Sequence, residues 1–275
     1  MRRASRYWMG GAALLLTAAL FIVPFVFIVL MAFKDRQQAA RLDFSWPASN
    51  NLVSNIVEVV SARDYMLLTA FVNSTILTVA SVAGMVILGA MVAFVLQRRQ
   101  SRWNGAINLL VLSGLIIPPA VVPTIWVLQG IGLFRTLGGL ILVEIAFGLA
   151  FTILLFQAFI ATIPRELDEA ATIDGAGPIR LFFQVVFPLL RSVIVTVIVV
   201  QSVFVFNDFV NPLYFLPGDE NATVQLTLFN FQSQFSTQWH LLFTDILLIT
   251  IPPLLMFLFF NKKIVEGMTA GAVKG

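Results

Sequence analysis

An all-α membrane protein with six transmembrane helices and both termini in the cytoplasm is the fold class that the sequence predicts. Three observations carry it. Six apolar stretches, each nearly free of charge, are long enough to cross a hydrocarbon core as helices. Hydrophobic residues make up 59% of the chain and charged ones 11%, with a mean hydropathy of +0.93, whereas a soluble domain carries about 25% charged residues. Twelve of the seventeen Lys and Arg residues fall in segments that a six-helix map puts inside the cell, as the positive-inside rule requires. The net charge of +3 comes mostly from these short basic loops, so it reports topology and predicts no nucleic-acid partner. Cysteine is absent and His240 is the single histidine, which excludes disulfides, thiolate metal sites and histidine clusters.

The elements follow in order. Arg2, Arg3 and Arg6 precede an uncharged run from Tyr7 to Phe33. That run exceeds the apolar core of about 7–15 residues in a signal peptide, so it reads as an uncleaved first helix, kinked at Pro24. Residues 34–64 form a polar outer loop whose four cations balance four anions. The second helix covers 65–97, with Gly84 and Gly89 for close packing. Arg98, Arg99 and Arg102 make an inner turn. The third helix is expected over about 104–128, distorted by Pro118, Pro119 and Pro123. The fourth, about 140–162, carries Glu144 near its outer end, at the interface. The fifth runs from Pro188 to about Tyr214, interrupted by the polar residues Asn207, Asp208 and Asn211. Polar groups at membrane depth mark a pathway or a helix contact, so these three are the candidate translocation-pathway residues. Residues 221–240 are polar and aromatic outer chain. The sixth helix, 241–260, carries Asp245 near its outer end and stops at Asn261-Lys262-Lys263.

Between the fourth and fifth helices lies the most informative segment, Pro164 to Pro188. Six charges there, on Arg165, Glu166, Asp168, Glu169, Asp174 and Arg180, exclude it from hydrocarbon. Pro164 suits a first helical position, and Glu166, Asp168 and Glu169 complement the helix dipole. Asp174-Gly175 reads as a stop with Gly at positive φ, and Pro178 opens a second short helix. Leu167, Ala170, Ala171 and Asp174 share one face by helical spacing. The run Glu169-Ala170-Ala171, three residues, Gly175, nine residues, Val185, one residue, Phe187-Pro188 resembles the EAA loop of bacterial ABC importer permeases, E-A-A-x3-G-x9-I-x-L-P. Val185 and Phe187 replace the I and L with other apolar residues. The Asn73-Ser74 pair also resembles the Asn-Ser/Thr feature that opens the transmembrane core of that family. The C-terminal Gly267-Met268-Thr269-Ala270-Gly271-Ala272-Val273-Lys274-Gly275 is similar to the end of one of the two permease subunits of maltose-type carbohydrate importers.

The resemblance implies the six-helix importer-permease (MetI-like) fold in a bacterial inner membrane. It implies a first helix and outer loop at 1–64, a core at 65–263 with the coupling loop at 164–188, and a cytoplasmic tail at 264–275. It assigns coupling to an ATPase subunit to Glu169, Ala170, Ala171, Asp174, Gly175 and Pro188, and ATPase contact to Thr269, Gly271 and Lys274 in the tail. The implied partners are a second homologous permease subunit completing a heterodimer, two cytoplasmic ATPase subunits, an extracytoplasmic substrate-binding protein, and the lipid bilayer. No phosphate-binding G-x-x-x-x-G-K-[ST] motif occurs. The chain is therefore expected to bind no cofactor and to be no enzyme, with ATP and Mg on the partner ATPase. The implied cargo is a sugar or oligosaccharide, with glycerol-3-phosphate or another polyol phosphate as the alternative. No Lys or Arg falls in a predicted span to meet a phosphate, which favours the neutral sugar. Two rival classes fit less well. A membrane enzyme needs a nucleophile and base or clustered carboxylates, and Asp208 is the lone carboxylate expected deep in a span. An ion-coupled secondary transporter needs ionisable groups at the midplane of two repeats.

Overall fold

The computed structural model describes residues 2–232 and 236–270. Its regular structure is helical, and among the described residues the one β contact is an isolated antiparallel bridge between Gln232 and Thr237. The helices are α1 (Arg2–Phe33), α2 (Arg36–Ala39), α3 (Leu52–Arg98), α4 (Asn104–Ile116), α5 (Val121–Gly130), α6 (Leu137–Ile160), α7 (Glu166–Ile173), α8 (Pro178–Arg180), α9 (Phe187–Leu189), α10 (Arg191–Phe206), α11 (Val210–Phe215) and α12 (Trp239–Ala270). A π-helical turn, Leu181–Val186, joins α8 to α9. Among the described residues four helices are long and apolar enough to cross a membrane, and up to six spans result if the bent pairs α4–α5 and α8/α9–α10 count as one each.

Two compact units are present: residues 1–68 with 224–251, and residues 69–223 with 252–275. In the first, α1 ends in a polar knot. Asn55 Nδ2 donates to the carbonyls of Ala32 (2.9 Å) and Lys34 (3.0 Å), satisfying acceptors that a helix C-terminus leaves open. Lys34, expected as a solvated outer-loop charge, is fully buried and pairs with Asp43 at 2.8 Å. Phe27 packs on Phe44 and Phe243, with ring centroids 4.9 and 5.4 Å away. Pro24 lies inside α1 without ending it. Exposed Leu14, Leu16, Leu20 and Phe21 form the apolar surface that a bilayer covers.

Several boundaries differ from the sequence expectation. Residues 52–61, expected as loop, are helical, because Leu52, Asn55, Ile56 and Val59 recur at helical spacing and Asn55 and Val59 are buried. The helix then breaks where Arg63, Asp64 and Tyr65 take positive φ. The third span is not one rod: α4 and α5 meet at 116°. Pro118 and Pro119 lack N–H donors, and the residue before a proline is pushed out of the α region, as Ile117 shows with ψ 121°. At the other end, α12 stays helical to Ala270, beyond the expected stop at 261–263 and into the segment expected as a tail.

The second unit holds the main core. Val82, Val86, Ala90 and Ala93 of α3 face Ala150, Ile153, Phe156 and Ile160 of α6, with Phe182, Val186, Val193 and Val197 closing the layer. The two glycines of α3 make this approach possible. A β-carbon on Gly84 would come within 2.5 Å of Ile145 Cδ1, and one on Gly89 within 2.6 Å of Thr152 Cγ2. A second apolar cluster gathers Leu77, Met85, Leu140, Val143, Val205 and Phe215. α6 also buries the polar side chains of Glu144, Thr152 and Gln157.

Candidate functional site

Two places in the second unit concentrate the residues singled out from sequence. The first is the segment around α7. The helix begins at Glu166 with Arg165 as its N-cap, so Pro164 lies before the cap and not at the first helical position. Its C-terminus closes as the sequence predicts. Gly175 has φ +83°, Gly175 N donates to Thr172 O at 3.0 Å, and Ala176 N donates to Ala171 O at 2.9 Å. These two bonds are the Schellman pattern, which needs a left-handed residue after the cap. Pro178 then starts α8 behind Gly177.

No residue of α7 is buried. Glu169, Ala170, Asp174 and Gly175 are exposed and Ala171 half-buried. Beside them stand exposed apolar side chains, Ile173 at 86%, Ile179 at 77% and Leu167 at 43%. Charged and large aliphatic side chains are thus exposed together on this segment. Pro188 sits at the base of this segment. Its ring crowds the carbonyl four residues back and supplies no N–H, and the widened turn at 181–186 lies where that crowding falls. The chain bends 76° between Pro178–Leu189 and α10. Phe182, buried there, packs against Phe94 and Phe187, with centroids at 5.4 and 5.6 Å.

The second place is a cavity of about 660 Å³ lined in part by Asn207, Asp208 and Asn211. The polar group interrupts the fifth span as expected. Asn207 caps α10, and Asp208 Oδ1 accepts from Val210 N at 2.9 Å to start α11. Sequence reasoning missed two further members. Glu144, expected at the interface, is 6% exposed; it lines the cavity and accepts a hydrogen bond from Asn211 Nδ2 at 3.0 Å. Gln201 also lines it and donates to Gly148 O (3.1 Å) and Thr152 Oγ1 (3.0 Å). The signal for Glu144 was a carboxylate inside an otherwise apolar run, which water alone does not satisfy. Two carboxylates and three amides therefore converge, with no Lys or Arg among the described lining residues. Asp208 is thus not the lone carboxylate at depth. Among the described residues no group of His, Asp or Glu is placed to hold a metal. Of the tail residues, Thr269 falls on the backbone of α12, while Gly271 and Lys274 lie outside the described residues.

Comparisons with known proteins agree with this geometry. Residues 85–269 match the family described as binding-protein-dependent transport system inner membrane component. The chain is 34% identical over 209 residues to the melibiose/raffinose/stachyose import permease protein MelC of Bacillus subtilis, covering 75% of this chain and 76% of that one. Its fold matches that of a chain in the crystal structure of a bacterial ABC transporter involved in the import of the acidic polysaccharide alginate. The TM-score is 0.82 at 19% identity, over 95% of this chain and 98% of that one. A bacterial alginate ABC transporter in complex with an alginate pentasaccharide-bound periplasmic protein matches with a TM-score of 0.68 at 17% identity, over 95% of each chain. A multi-pass helical chain with this match belongs to the binding-protein-dependent transport system inner membrane component family, the permease subunits of ABC transporters.

Proposed function

We propose that the chain is the translocation subunit of an ATP-driven importer for a neutral sugar or oligosaccharide. In this reading it pairs with a second homologous permease subunit, receives cargo from an extracytoplasmic binding protein, and is driven by two cytoplasmic ATPase subunits that hold the ATP and Mg. Both termini and α7 then lie on the cytoplasmic side. The observation that carries the reading is α7 itself. A helix with no fully buried residue, with exposed aliphatics and with a left-handed cap at Gly175 is suited to dock into another protein. Glu169, Ala170, Ala171, Asp174 and Gly175 form its contact surface. Glu169 offers a carboxylate for charge-assisted hydrogen bonds, and the small alanines permit close approach. Pro188 sets the angle at which the segment leaves the membrane. Thr269, Gly271 and Lys274 reach the ATPase from the C-terminal end.

The lining of the cavity supports a sugar cargo. Asn207 and Asn211 offer both donors and acceptors and Gln201 its carbonyl oxygen, and Glu144 and Asp208 accept from hydroxyls. The relative named as a melibiose, raffinose and stachyose permease supports a sugar. A polyol phosphate is the weaker reading, because its anionic group would approach two carboxylates with no lining cation to offset them. Uptake of radiolabelled oligosaccharide by cells with and without this chain tests the proposal. Uptake that needs the chain, stops on ATP depletion and survives an uncoupler is expected. Uptake that persists without the chain, or collapses under the uncoupler while ATP is maintained, overturns it.

A further inference from the structure

We propose that Arg98 is a positioning residue for coupling: with Asp168 it clasps the coupling helix to the end of α3, so that displacement of α7 reaches the cavity wall. The inference rests on the reading of α7 as the ATPase-docking element. Arg98 is the last residue of α3. Its Nε lies 2.6 Å from Asp168 Oδ2, in an ion pair whose side chains are only 12% and 15% exposed. Its Nη2 donates to Ile163 O at 3.0 Å. From the other side, Arg165 Nη2 donates to Gln97 O at 3.1 Å. The last two residues of α3 are thus tied at three points to residues 163–168, next to a helix that buries none of its residues. Among the described residues neither Arg98 Nε nor Asp168 Oδ1 has a hydrogen-bond partner, so the Arg98–Asp168 contact is a charge pairing.

Upstream of Arg98, α3 runs helically from Met66 without a proline. Met85, which lines the cavity, stands thirteen residues earlier, about 20 Å along the axis at 1.5 Å per residue. At that level Gly84 and Gly89 seat α3 against Ile145 and Thr152 of α6, and α6 carries Glu144 and Gly148 into the same cavity. A close-packed helix pair moves as a body, so a pull on its end is felt at its middle. The planar guanidinium suits this role, because one group engages a carboxylate and a carbonyl together, where a lysine ammonium offers a single point charge.

The test uses the reconstituted complex in proteoliposomes, with Arg98→Ala, Asp168→Asn and the exchange Arg98→Asp/Asp168→Arg. Two quantities are read: ATPase subunit retained on purification, and ATP hydrolysed per sugar imported. Both single variants should retain the ATPase subunit while the ratio rises about tenfold, within the range that site-to-site coupling spans. The exchange should bring the ratio back towards wild type. An unchanged ratio in both single variants, loss of the ATPase subunit from them, or no recovery in the exchange overturns the clasp. Gly175→Val, run in parallel, separates the two ideas. If it uncouples import while the clasp variants do not, only the clasp fails. If it too leaves retention and ratio unchanged, the docking role of α7 fails.

Discussion

Replacing Gly175 separates backbone conformation from steric size. Its φ is +83°, and a β-carbon built on it meets nothing within 4 Å. Any loss on substitution therefore comes from the left-handed backbone, about 1–2 kcal/mol for an ordinary L-residue, and not from a clash inside this chain. About 1.4 kcal/mol is a tenfold change in population, so Gly175→Ala should leave the native turn about tenfold less favoured relative to alternatives. β-Branched valine should do worse, and asparagine, which enters this region more readily, should do better. The bonds at stake are Ala176 N to Ala171 O and Gly175 N to Thr172 O. Since α7 buries no residue, melting of the purified chain should barely change across the series. Sugar uptake and retention of the ATPase subunit, measured in proteoliposomes, should fall in the order Gly, Asn, Ala, Val. An asparagine variant as defective as valine would refute the backbone argument, and a valine variant with normal uptake and retention would refute the coupling role.

Gly89→Leu should lower the melting temperature, since its β-carbon would lie 2.6 Å from Thr152 Cγ2 and overpacking costs about 1–3 kcal/mol; Gly105→Ala, with nothing within 4 Å, should not. The Lys34 ammonium and the Ser45 donors hold the Asp43 carboxyl well below its ordinary 3.8, so the pair stabilises the segment after α1 fully above that value and loses its effect only as pH falls below it. The melting-temperature gap between wild type and Asp43→Asn should accordingly be constant near neutrality and close in strong acid; a gap that widens on acidification would refute the pairing. Deleting Thr269 to Gly275 should raise ATP hydrolysed per sugar imported while leaving the chain in the membrane, and a normal ratio would remove the tail from the coupling machinery.

The sequence alone determined the membrane class, the number of apolar segments and the turn at Gly175. These are properties of short range: hydrocarbon excludes charge, and the Asp174-Gly175 stop is settled by one residue's freedom to take positive φ. The paired glycines of α3 announced a close helix contact for the same local reason. Tertiary structure decided what long-range burial decides. Nothing within three or four residues of Glu144 says that it turns inward to Asn211, sixty-seven positions away, nor that Lys34 is buried against Asp43. Arg98 reads as one of three arginines in a basic turn until Asp168 is brought to it across an intervening pair of spans. The prolines at 118 and 119 foretold a break but not its 116° bend, because a proline removes a bond and packing chooses the new direction.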